Sequence, residues 1–314
     1  MTRRLGRPLI RCSAIALALA VSSGCSVRKM ALRQVADVLA GGGGTWAADP
    51  DPQLVADAVP FALKTAESLL VELPDHRGLR LAACRGFTEY SLAFVESQAR
   101  RLRDSDHARS EEQRQRALGL YERALGHCRH ALERELPGAL EALRRNPAEA
   151  LREADCEDVP LLFWTGASWG AAIASSAGRV DLLADLPAVR ALLERVLELD
   201  DTYEHGLVHQ AMIPLAAQPG PAGGSPEEAR RHLDRALELT DGQAASAYVL
   251  YAESVLVPRQ DREGFETMLR QALEVDPDAI SALRLANVLA QQQARFLLQQ
   301  ADTLFLEPDT ESTP

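Results

Sequence analysis

A few clusters in this 314-residue chain have residue types and spacings that could do chemistry. His205 and His209 stand at i and i+4 beside Glu204. On a helix that spacing puts two imidazoles on one face, where a third ligand would complete a metal site, but the sequence offers no third ligand nearby. His127 and His130 are three apart with Cys128 between them, and lack the glutamate and the i, i+4 pairing of a metalloprotease helix. Asp104, Asp106 and His107 could hold a cation, yet they sit in a charged run that reads as a solvated loop. Gly41 to Gly44 has no following Lys-Ser or Lys-Thr, so it reads as a linker rather than a phosphate loop. There is no nucleophile-elbow motif and no carboxylate pair in an apolar setting. Metal, cofactor and enzymatic activity are therefore not expected. The most unusual local composition is Leu161 to Gly170, where Phe163, Trp164 and Trp169 lie among Gly, Ala and Ser. Together with Tyr90 and Phe94 these aromatics form a candidate set for an apolar groove or a subunit contact. A tight structural helix junction is the alternative.

The N-terminus carries its own chemistry. Arg3, Arg4, Arg7 and Arg11 precede an apolar run from Cys12 to Val21, and Ser22-Ser23-Gly24-Cys25 follows. A basic region, a short apolar core and small residues before a cleavage point describe a signal peptide. The core is too short for a membrane span, which needs about 20 apolar residues. The segment resembles the bacterial lipobox, with the Cys25 thiol as the lipid acceptor, although Ser22 stands where Leu or Val is usual. An ordinary cleaved signal with a stray cysteine is the alternative. Two or three acyl chains anchor a protein firmly where one does so marginally. Ser26, rather than Asp, after the cysteine favours the outer membrane by resemblance to enterobacterial sorting.

Removing residues 1–24 removes four arginines and no acid, taking the formal charge from −11 to −15. Such a body is repelled by nucleic acid and by anionic lipid heads, so nucleic acid is excluded as a partner and the anchor must be hydrophobic. Cys84, Cys128 and Cys156 remain beside Cys25, which allows at most one disulfide among them. Cys84 reads as a small core residue.

The elements that must position these residues are helices. Ala, Leu, Glu, Arg and Gln dominate, aromatics are few, and alternating patterns are short. Met30 to Ala40 has one apolar face at Ala31, Val35, Val38 and Leu39, ended by the glycine run. Asp51-Pro52 opens a helix as N-cap and N1 proline, and Pro60 should kink or split it. Leu79 to Leu102 reads as a long helix bearing Phe87, Tyr90 and Phe94. Arg100 to Arg116 reads as a helix end and exposed loop, and Leu118 to Leu132 as an amphipathic helix. Pro137, Pro147 and Pro160 divide the middle.

The C-terminal half repeats. Leu197-Glu198-Leu199, Leu237-Glu238-Leu239 and Leu273-Glu274-Val275 end successive amphipathic helices at spacings of 40 and 36 residues. Ahead of them recur Val189, Leu193 and Val196; Ala229, Leu233 and Ala236; and Phe265, Leu269 and Ala272. This resembles the second helix of a tetratricopeptide repeat, whose period is about 34 residues. A weaker copy sits at Ala62, Ala66, Leu69 and Pro74. Ser225-Pro226-Glu227-Glu228 marks a helix start. The expected fold is all-α: a TPR-like helical repeat (α-solenoid) with irregular helix pairs over 51–306. A signal peptide (1–24), a lipidated N-terminus with linker (25–50) and a disordered tail (307–314) complete the chain. A non-repetitive helical bundle is the alternative.

Five segments, taken in order, carry a resemblance to a known family: GCSVRKMA from Gly24, DPQLVADAVPFALK from Asp51, VPLLFWTGASW from Val159, GGSPEEA from Gly223, and YAESVLVPRQDREGF from Tyr251. Across 24–306 the chain resembles the T components (TatT) of tetratricopeptide-protein-associated TRAP transporters. The resemblance implies a periplasm-facing lipoprotein that docks a TRAP-type solute-binding protein, associates as a trimer, and binds or passes an apolar ligand. It supplies no catalytic residues, and only Cys25 transfers as a site. A TPR lipoprotein scaffold for outer-membrane or cell-wall assembly is the competing function.

Overall fold

The computed structural model describes residues 28–176, 180–218 and 224–306. The signal segment, Cys25 and the tail 307–314 lie outside them. Helix makes up 79% of the described residues, and no strand occurs among them, so the fold is all-α.

The chain opens with α1 (28–41), α2 (Gly43–Ala47), α3 (Pro52–Glu72) and α4 (Arg77–Tyr90). A π-helical stretch, Ser91–Glu96, carries α4 into α5 (Ser97–Leu102) without a break. Next come α6 (His107–Glu135), α7 (Ala139–Arg145), α8 (Pro147–Ala150), α9 (Val159–Ser175) and α10 (Val180–Leu183). The C-terminal part comprises α11 (Leu186–Leu199) with α12 (Tyr203–Ala216), α13 (Pro226–Glu238) with α14 (Ala245–Tyr251), and α15 (Arg262–Glu274) with α16 (Arg284–Gln299). A second π stretch, Ala252–Leu256, follows α14, a short 3-10 turn, Ser281–Leu283, precedes α16, and α17 (Ala301–Leu304) ends the body.

Local rules explain many of these boundaries. The Asp51 carboxylate accepts from the amides of Gln53 and Leu54, and Ser225 Oγ from that of Glu228. All nine repeat positions, from Val189 to Ala272, are buried. They form the stripes by which each helix pair packs on the next, as in a solenoid. One apolar core spans α1 to α12 and a second spans α12 to α17, with α12 contributing to both. Helix α9 is the hub of the first. Twelve of its seventeen residues are buried, as expected of a helix that is apolar all round. Gly166 and Gly170 let α11 approach it: a Cβ on them would lie 3.1 Å from Leu193 and 3.3 Å from Val189. The Cys84–Cys128 disulfide, with Cα atoms 5.5 Å apart, ties α4 to α6.

Several expectations are corrected. Pro60 lies inside α3 without splitting it. The loop after α5 is confined to Arg103–Asp106, because Asp106 caps α6 through the amide of Arg109. The weak repeat copy is out of register: α3 buries Leu63, Ala66 and Leu70, and leaves Ala62 and Leu69 only partly covered. The glycine run is no loose linker. α1 extends to Gly41 and α2 starts at Gly43, because packing of α2 on α16 and the 3-10 turn outweighs glycine's poor propensity. Arg284 Nη1 donates to the carbonyl of Ala48 at 2.9 Å. The N-terminal segment therefore meets the last helix pair, and the solenoid closes on itself.

Candidate functional site

Closure frames an open cavity of about 2010 Å³. Its wall draws on α1–α5, α9, α11, α12, α14, α16 and the second π stretch, so nearly every part of the chain contributes. Most lining side chains are apolar. Val35 and Val38 of α1 and Leu92 of the first π stretch are exposed apolar residues that face into it. The apolar face of α1 is thus divided: Ala36 is buried in the core, with Leu32 and Leu39 packed against it, while Val35 and Val38 serve the cavity.

Of the sequence-derived candidates, Tyr90, Phe94, Phe163 and Trp164 all line the cavity. Tyr90 and Phe94 pack at 5.6 Å between ring centroids, and Phe163 sits edge-on to Trp164 at 5.0 Å. Trp169 is not among the lining residues. It borders a separate small pocket of about 80 Å³, with the Arg129 guanidinium 4.2 Å from its ring centroid. Five positions along a helix is 500° of rotation, which places Trp164 and Trp169 on different faces.

Two ion-pair clusters stand among the polar residues of this wall, and sequence reasoning missed both. At the first, Arg85 of α4 donates to Glu89 Oε1 at 3.0 Å and to Glu204, and its guanidinium lies 5.1 Å from the centroid of Trp164. The Tyr203 hydroxyl also reaches Glu204 at 3.4 Å. Glu204 is delivered there by a left-handed turn: Glu204, His205 and Gly206 have φ of 44°, 60° and 76° at the head of α12. Non-glycine residues in such conformations cost about 1–3 kcal/mol each and concentrate at functional sites. At the second, Arg100 of α5 pairs with Glu253 at 3.4 Å and Glu96 at 3.5 Å. Gln293 donates to Glu253 at 3.2 Å, and the buried Tyr121 hydroxyl donates to Glu96 at 2.5 Å. Glu96 and Glu253 each come from a π stretch, the kind of helix irregularity that recurs where side chains must be re-aimed. Carboxylates do therefore pair in an apolar setting, each pair around one arginine.

Burial sets the protonation chemistry. Enclosure pushes the Glu89 and Glu253 carboxyls up, against the pull of Arg85 and Arg100. For Arg85 and Arg100 burial works the other way, but the flanking carboxylates hold both guanidiniums above their ordinary value. Burial, then the Glu204 charge, pushes the Tyr203 phenol up.

The structure sends the histidines of each cluster to different partners. The left-handed turn takes His205 off the α12 helix, leaving it in the cavity wall, while His209 points to the α13 interface and meets His232 Nδ1 to Nδ1 at 2.9 Å. His127 bonds Arg80 at 3.1 Å and lies 3.4 Å from Glu67, and Cys128 is held in the disulfide. Among the described residues no group of three or more potential ligands converges.

The comparisons place the chain among transporter components. Residues 48–305 match the family described as TRAP transporter T-component. Over 264 residues the chain is 30% identical to an uncharacterized protein of Treponema pallidum (strain Nichols), covering 82% of each chain. The protein belongs to the TRAP transporter T-component family, a family of transporter components rather than of enzymes.

Proposed function

We propose that this protein is a lipid-anchored, periplasm-facing accessory of a TRAP-type transporter. In this reading it docks the system's solute-binding protein and takes an apolar ligand into its cavity. The observation that carries the ligand is the cavity itself. At about 2010 Å³ it exceeds the roughly 300–1,000 Å³ of ordinary small-molecule pockets, and apolar side chains make up most of its wall. Cys25 would carry the anchor. No helix among the described residues is long and apolar enough to cross a membrane, so attachment through Cys25 supplies what the body lacks. Self-association, as a trimer by resemblance, belongs to the same proposal. Leu54 and Phe61, seven apart on α3, are exposed apolar side chains outside the cavity lining, as a subunit contact would require.

Two experiments test this. Tagged mature protein, crosslinked gently in its native cell, is expected to enrich a TRAP-type solute-binding protein. Enrichment of outer-membrane or cell-wall assembly factors without one would overturn the docking role in favour of the scaffold. A neutral environment-sensitive fluorophore is expected to bind the purified protein and to lose affinity by about tenfold or more in Trp164→Ala. An unchanged affinity would remove the cavity as its site.

A further inference from the structure

Away from the cavity, the small notch beside Trp169 holds an arginine with nothing to bond. Arg129 of α6 is half-buried. Among the described residues it is the only arginine short of full exposure whose guanidinium has neither a hydrogen bond nor an ion pair. Its nitrogens remain accessible, so none is sealed in without a partner. The guanidinium lies over the buried indole of Trp169, 4.2 Å from the ring centroid. Contact through the face leaves the N–H groups, which lie in the guanidinium plane, free to donate at its edge. Arg144 of α7 reaches over the same ring at 5.9 Å, and its Nη2 lies 3.3 Å from Asp185 at the head of α11. Leu140 completes the lining. Two guanidiniums against one carboxylate leave the notch with a positive charge in excess, in a chain of formal charge −11. Burial, and then Arg144, hold the Arg129 guanidinium below its ordinary value against the pull of Asp185.

We propose that this notch binds one carboxylate, the side chain of a glutamate or aspartate on a protein partner. Size and charge both argue for it. About 80 Å³ holds a carboxylate and a methylene or two, with Leu140 against the methylenes, and leaves the remainder of the partner outside. A single negative charge balances the notch, whereas a phosphate, with about −1.5 to −2, overshoots it beside Asp185. The planar edge of a guanidinium meets a carboxylate with two parallel hydrogen bonds. Acidic surface elsewhere on the molecule repels an acidic partner, so a single positive notch fixes where and how such a partner sits. That the partner is the solute-binding protein rests on the docking role proposed above.

The test uses purified mature protein labelled with fluorotryptophan and read by fluorine NMR, where Trp169→Phe assigns that resonance against those of Trp46 and Trp164. The probes are the end-capped peptide Gly-Glu-Gly, its Gly-Gln-Gly counterpart and inorganic phosphate, at constant ionic strength. The glutamate peptide is expected to shift the Trp169 resonance saturably and leave the other two in place. The glutamine peptide should do nothing, and phosphate should bind more weakly than the glutamate peptide. Arg129→Gln should weaken the glutamate peptide about tenfold or more, and Arg144→Gln gives the same readout should the first variant fail to fold. A Trp169 resonance that ignores the glutamate peptide, a response unchanged in both variants, or phosphate binding as tightly as the peptide would overturn the carboxylate site. A second arm repeats the crosslinked capture with Arg129→Gln, which should lower the yield of the solute-binding protein relative to the wild type. An undiminished yield alongside a positive titration would overturn that partner as the source of the carboxylate. A wild type that captures no solute-binding protein would overturn the docking role and that source with it, while the titration decides the carboxylate site on its own.

Discussion

Single residues carry the energetics that can be read most directly. The Cys84–Cys128 bond closes a loop of 44 positions between buried sites on α4 and α6. Replacing both cysteines with alanine should cost on the order of 2–4 kcal/mol, seen as a lower urea midpoint, and adding reductant to the wild type should reproduce most of that loss. His209 and His232 make a second test. Burial lowers both imidazoles, and the neighbouring His209 helps bring His232 to about 4 from an ordinary 6.5. Around the pair stand Asp201 and Arg235 near His209, and Glu228, Arg190 and Arg231 near His232. Because the folded values are depressed, the unfolded chain binds more protons between about pH 4 and 6.5. Stability is then complete above that window and falls as the pH drops through it. Urea titrations at pH 7.5 and 5.0 should differ by up to about 2 kcal/mol from His232 alone, and His232→Gln should flatten the difference.

At the scale of the element, regular helix does the packing and irregular helix does the chemistry. The regular part was legible in the sequence. Asp51-Pro52 and Ser225-Pro226 announce helix starts because the caps are local, and the triads from Val189 to Ala272 announce buried stripes because packing repeats every turn. The irregular part was not legible. Nothing in Ser91–Glu96 or Ala252–Leu256 marks a π stretch, and Glu204-His205 has no propensity for left-handed backbone. Glu89 and Glu204, or Glu96 and Glu253, are more than a hundred positions apart, and along its own helix each acid looks like a solvated polar position. Only closure of the solenoid brings them to one interior. Tyr90, Phe94, Phe163 and Trp164 were easier to pick out because large aromatics are conspicuous in so alanine-rich a chain, whereas the turn of Trp169 away from the cavity into the core needed the helix phase. Two helix-scale predictions follow from the packing. Gly166→Val should destabilise by about 1–3 kcal/mol by driving α9 from Leu193 of α11. Ser225→Ala should cost about 1 kcal/mol through the lost cap on α13. Thermal melts of the two variants distinguish a wedged core from a frayed end, because only the first should also disturb fluorophore binding in the cavity that Gly166 lines.

For the molecule as a whole, the notable property is that the helices near either end of its described body meet. Contacts elsewhere run mostly between neighbouring helices, but α2 reaches α16, and Arg284 bonds the carbonyl of Ala48 across 236 positions. Deleting residues 28–48 should leave the helix pairs folded, with helical circular dichroism retained, while fluorophore affinity falls because one wall is gone.

That long-range contact also orders events in time. A chain delivered from its N-terminus assembles its helix pairs one after another as they emerge, but the cavity gains its last wall in a single step, when α16 arrives to receive α2. Until then the apolar wall is an open trough, accessible to lipid, chaperones and proteases alike. A polypeptide halted before Arg284 would therefore be nearly complete in secondary structure and still lack the wall that α16 supplies.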